Sequence, residues 1–222
     1  MDTQTLYKAT ARQMLYLIIL VLVVVLCWKV GDIYKSATVQ EYGIFESAQS
    51  VVLLLMGISF IAQAVFNRAF RPILYCLGML SLAALIREQD AYFDALLPGI
   101  GWSWCWVFPL SGLVYLIRSR HRLGGIMQQF LQSHAFHMMV TALVIIIPLA
   151  QCLGHRSFLV DLLGNEQIDA SLVRRIMEEP IELLGYIQIL LASFECMLEL
   201  RKKMTPHLYL NTCGVKKQRS FD

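Results

Sequence analysis

Residues 15–28 read LYLIILVLVVVLCW. The stretch carries no charge, no glycine and no proline. About 20 residues at 1.5 Å each cross the ~30 Å hydrocarbon core of a bilayer. With Met14 before it, this run is a membrane-spanning helix in the making. The rest of the chain agrees. It has 222 residues, of which 57% are hydrophobic and 16% charged, with a mean hydropathy of +0.58. A soluble domain carries about 25% charged and 45–50% apolar residues. That balance excludes disorder, a basic nucleic-acid-binding surface and an ordinary soluble fold.

Six apolar runs follow one another: 14–28, 45–66, 72–86, 102–117, 126–153 and 180–198. The gaps between them are mostly short, and there is no internal repeat. Lys8 and Arg12 precede the first run as the basic region of a signal peptide would. The run is long, however, and no small-x-small cleavage pattern follows it, so it reads as a retained helix.

Basic residues orient membrane helices, because short cytoplasmic loops are enriched in them. With the N-terminus inside, 13 of the 19 Lys and Arg fall on the cytoplasmic side, including Arg68, Arg71, Arg118, Arg120 and Arg201. Both termini are then cytoplasmic. Trp28, Trp102, Trp104 and Trp106 fall near the outer ends of the first and fourth runs, where indole rings anchor at the headgroup level. Acidic residues collect on the same outer side, 12 of 16 of them.

Three acidic patches share this outer depth: EYGIFESAQS from residue 41, REQDAYFD from residue 87 and EEPIELLGY from residue 178. Glu46 and Glu182 each lie about one turn inside their runs. Each shares a helical face with small residues, Gly57 and Ala64 for one, Gly185, Ala192 and Cys196 for the other. Small residues mark faces where membrane helices approach closely. Both glutamates are therefore expected to face the bundle, with Arg87 as their partner. Glu88, Asp90, Asp94, Glu178 and Glu179 complete the cluster. It is expected to be either an architectural network or an outer site for a cation, a proton or a metal. His155 is the histidine on that side and the candidate metal ligand, which makes a divalent cation the candidate cofactor. The six cysteines show no C-x-x-C spacing and read as small packing residues. Residues 169–179, DASLVRRIMEE, place Leu172, Val173, Ile176 and Met177 on one helical face and charges on the other. This predicts a short amphipathic helix between the fifth and sixth spans.

The motifs REQDAYFD and EEPIELLGY, with Glu46 at the start of the second run, resemble a group of small polytopic inner-membrane proteins of bacteria. The resemblance covers about spans two to six. It implies a bacterial inner-membrane location and assigns no reaction. The span count is also similar to that of the ceramidase-like membrane hydrolases, which use Ser, Asp and several His at a zinc site. This sequence does not carry a set of histidines at one depth.

The expected architecture is all-α, a six-helix transmembrane bundle over residues 14–200. A cytoplasmic tail of residues 1–13 precedes it, and a basic cytoplasmic tail of residues 201–222 follows. The lipid bilayer is the partner, together with a second copy or another membrane protein; nucleic acid is not. Three functions fit: cation- or proton-linked binding or transport, a membrane-embedded metal-dependent hydrolase or lipid-processing enzyme, and a non-catalytic assembly subunit.

Overall fold

In lipid every backbone N–H and C=O must be paired within the chain, and a single apolar segment achieves this only as a helix. The computed structural model describes residues 3–34, 44–96, 101–155 and 178–214, and no strand occurs among them. α1 (Thr3–Tyr34) holds the opening apolar run, and α2 (Ile44–Phe66) the second. α3 (Arg71–Glu88) starts with Pro72 in its first turn, where a missing N–H costs nothing. α4 (Asp90–Leu96) is short, and a 3-10 turn (Gly101–Trp106) leads into α5 (Val107–Arg118). α6 (Arg120–Leu131), α7 (His134–Val144), a π turn (Ile145–Leu149) and α8 (Ala150–Gly154) follow. α9 (Glu179–Gly214) is the longest element and runs well past residue 200, so the helix continues into the expected tail.

Among the described residues, four helices are long and apolar enough to cross a membrane: Tyr7–Cys27, Ile44–Phe66, His134–Leu153 and Glu179–Arg201. The chain is thus an all-helical membrane protein. The third and fourth apolar runs are less simple. α3 has 18 residues but includes Arg71, Arg87 and Glu88, and the fourth run is divided between the 3-10 turn and the 12-residue α5. The fifth run does not begin at residue 126. The helix stops at Leu131, and Ser133, in an extended conformation, restarts it. Its hydroxyl accepts the Phe136 N–H at 3.1 Å, satisfying one of the orphan donors of a helix start. Ser133→Ala should therefore cost about 1 kcal/mol, read as a lowered thermal midpoint of the purified protein. The π turn carries Pro148, whose missing N–H disrupts the regular ladder. Of the predicted amphipathic helix, residues 169–179, all but the last two lie outside those described.

The core lies among α2, α3, α7 and α9, with Leu53, Phe60, Leu74, Ala135, Ala142 and Ala192 buried in it. The predicted faces of α2 and α9 are the ones used, since Gly57, Ala64, Gly185 and Cys196 are buried as well. Glycines set the spacing. A Cβ on Gly78 of α3 would lie 2.8 Å from Ile61 Cγ1 of α2, and one on Gly57 would lie 3.1 Å from Leu82 Cδ2. Without side chains there, dispersion contacts form backbone to backbone, which is how helices adhere where lipid is as apolar as leucine. α1 differs: 0% of its apolar window is buried, although it touches α9.

Candidate functional site

α2 and α9 begin at the same end of the bundle at which α3 and α8 finish, and this acidic end brings the carboxylate-rich segments together. Tyr186 of α9 donates its hydroxyl to Glu88 Oε1 of α3 at 3.0 Å. The charges of Glu88, Glu182 and Arg87 all act on that phenol. Gln89 Nε2 donates to Ser50 Oγ of α2 at 2.7 Å, which fixes the end of α3 against the start of α2. Gln49 Nε2 donates to the Glu179 carbonyl at 2.9 Å, joining α2 to α9. Gln151 of α8 donates to Glu178 Oε1 at 2.7 Å, which adds a fourth element. Glu178 is buried, so its carboxylate depends on such bonds to offset desolvation.

The other sequence-predicted residues distribute around this centre. Glu46, Glu88, Glu179 and Glu182 are half-buried, whereas Arg87, Asp90 and Asp94 are exposed. Arg87 is exposed at this end, and its charge acts on Tyr186 beside those of Glu88 and Glu182. Burial favours Tyr186 for the central place, because a phenol costs far less to desolvate than a guanidinium. Tyr186→Phe should leave Glu88 short of one donor and cost about 1–3 kcal/mol of stability, measured by thermal unfolding. His155 is exposed, just beyond α8. No group of three or more His, Cys, Asp and Glu that could hold a metal ion occurs among the described residues. Trp104 and Trp106 are exposed on the 3-10 turn, while Cys105 between them packs on Ala83 and Ile86 near the end of α3. The side chains of Trp28 and Trp102 lie outside the description.

A second ionisable centre occupies the opposite end of the bundle. Glu195 of α9 is 2% exposed and forms an ion pair with Arg12 of α1. Its second oxygen accepts the Tyr16 hydroxyl at 3.2 Å. Gln13 Nε2 meets His134 Nε2 of α7 at 3.1 Å, and Glu199 Oε1 accepts the His134 N–H at 3.0 Å. Arg12, Gln13 and Tyr16 occupy one side of α1 at helical spacing. They are the specific polar hold of a helix whose apolar surface otherwise faces outward. In the sequence Arg12 reads as a basic residue ahead of the first run and as part of the inside charge bias. The signal for Glu195 is a carboxylate deep inside the sixth apolar run, 13 residues beyond Glu182.

Between the two centres, α2 and α9 share uncharged polar contacts. Ser59 and Ser193 hydroxyls lie 3.0 Å apart, and Gln63 Nε2 donates to the Ser193 carbonyl at 3.0 Å. Leu53 and Met56 separate this group from Gln49, so the polar contacts come in stations along the interface. A cavity of about 10 Å³ lies beside Phe130, Ser133, Cys196 and Glu199, room for a single water.

No protein-family model, no curated protein and no solved structure matches this chain. The functional reading therefore rests on the residues themselves.

Proposed function

We propose that this is a six-span membrane protein of the bacterial inner membrane, with both termini cytoplasmic, that performs cation- or proton-linked binding or transport. Support for the third span comes from its partners. Arg71, at the start of α3, donates to the Ala64 carbonyl near the end of α2, and Gln89, just after α3, bonds Ser50 near its beginning. α3 therefore runs beside the apolar length of α2, about 21 Å from Ser50 to Ala64 at 1.5 Å per residue. Its charges lie only in its first and last turns. α5 in turn packs on α3 through Gly112, where a Cβ would lie 3.1 Å from Cys76 Cα.

The observation that carries the function is the placing of ionisable groups along α9. Glu178, Glu182 and Tyr186 occupy one end of a membrane-length helix and Glu195 the other. Such groups are expensive in lipid and mark ion or proton paths by default. In this reading the acidic end faces outward and receives the cation or proton. The Arg12–Glu195 pair holds the inner end closed, and the Ser59–Gln63–Ser193 contacts lie between.

The test is flux in liposomes reconstituted with the full chain under an imposed pH or Na+ gradient. Wild-type protein should dissipate the gradient faster than protein-free liposomes. Glu46→Gln and Glu182→Gln should leave yield and helix content unchanged and remove the excess flux. A second reading, a non-catalytic assembly subunit, draws on the outward apolar surface of α1. It predicts no excess flux in any variant and an oligomer or a co-purifying membrane protein in mild detergent.

A further inference from the structure

Gln49 of α2 is 1% exposed. Its Nε2 is committed to the Glu179 carbonyl. A carbonyl only accepts, so this bond fixes which end of the amide is nitrogen. Oε1, the other end, is buried and has no hydrogen-bond partner among the described residues. An orphaned acceptor of this kind is rare in a folded interior and calls for an explanation such as a bound ion. The chemistry on both helices supplies one. Glu46 lies one turn before Gln49 on α2, and Glu179 and Glu182 form the first turn of α9. Ser50 offers a hydroxyl oxygen whose lone pair already receives Gln89. α3 and α8 also end at this level, with the negative ends of their dipoles toward it.

We infer that Gln49 Oε1 is the buried ligand of a monovalent-cation site of the Na+ class at the acidic end, completed from the carboxylates of Glu46 and Glu182. This specifies the cargo of the proposed function and rests on that reading. The charge class follows from the ligand set. Oxygen ligands suit hard cations, and a divalent ion usually gathers several carboxylates. Among the described residues no three acidic, His or Cys side chains converge tightly enough to hold a metal. A neutral amide oxygen with one or two carboxylates suits a single positive charge. Arg87, exposed nearby, lowers the local demand further.

The experiment is thermal unfolding of the purified full chain, titrated with NaCl against N-methylglucamine chloride at constant ionic strength. The wild-type midpoint should rise with the logarithm of Na+ concentration above the dissociation constant, by about 4 °C at a tenfold excess over it. Gln49→Leu, which removes the oxygen at similar volume, should abolish the rise. Gln49→Glu, which keeps an oxygen there, should retain it. Equal midpoints in the two salts for wild-type protein would overturn the site, as would an undiminished Na+ rise in Gln49→Leu. If Gln49→Leu fails to fold, the wild-type and Gln49→Glu titrations decide. A Na+ rise without flux would keep the site and sink transport. Proton flux without a Na+ rise would do the reverse.

Discussion

Glu195→Ala should lower the thermal midpoint of the purified protein by on the order of 10 °C. Its carboxylate is almost fully buried and meets both Arg12 and Tyr16. Removing one partner of a buried ion pair leaves the other charge uncompensated, at a cost of about 3–5 kcal/mol. Arg12 keeps 22% side-chain exposure, so its head can reach toward the headgroups and recover part of that cost. About 3 kcal/mol, at about 2–4 °C per kcal/mol for a chain of this size, gives the stated shift. The loss should concentrate in α1, whose apolar window gains nothing by burial. The exchanged pair Arg12→Glu with Glu195→Arg should recover most of the midpoint, and Arg12→Leu with Glu195→Leu should suffer less than Glu195→Ala alone. If Glu195→Ala unfolds at the wild-type temperature, the pair does not hold α1.

Gly185→Leu should be similarly damaging for a different reason. A Cβ at residue 185 would collide with Ile146 Cγ1 and lie 3.3 Å from the Ala142 carbonyl of α7. Ile146 sits in the π turn beside Pro148, so the opposing surface is already irregular. Overpacking a close helix contact costs about 1–3 kcal/mol. Here α7 must also move away from α9, which would strain the Gln188 Nε2 bond to the Met138 carbonyl at 3.2 Å. Thermal unfolding should show a midpoint about 5–10 °C lower. Gly185→Ala should fall between Gly185→Leu and the wild type. At Gly124 of α6, where a Cβ meets nothing within 4 Å, Gly124→Ala should be neutral or slightly stabilising.

The sequence made the helices legible because a continuous apolar run has one solution in lipid. The inward faces of α2 and α9 were legible too, from Gly57, Ala64, Gly185 and Ala192 recurring at helical spacing. What could not be read was which polar side chains cross between helices. Glu88 sits beside Arg87 at a span's end, and nothing in the pattern shows that it is Glu88 that takes the Tyr186 hydroxyl. The break at Ser133 hid inside an apolar run because its signal is local: one hydroxyl accepting one N–H. Gln49 and Gln63 were invisible for the opposite reason. A glutamine in a membrane helix says nothing about which end of its amide is satisfied until its neighbour is known.

If α3 and α5 both cross the membrane, Asp94 lies on the outer side and Arg120 on the cytoplasmic side. Single cysteines at Asp94 and at Arg120, in a cysteine-free background, separate the alternatives. Whole cells would be treated with a membrane-impermeant maleimide before and after permeabilisation. Six spans predict that Asp94→Cys labels in intact cells and Arg120→Cys only after permeabilisation. Both positions labelling from the same side would contradict the six-span arrangement and the outer site built on it.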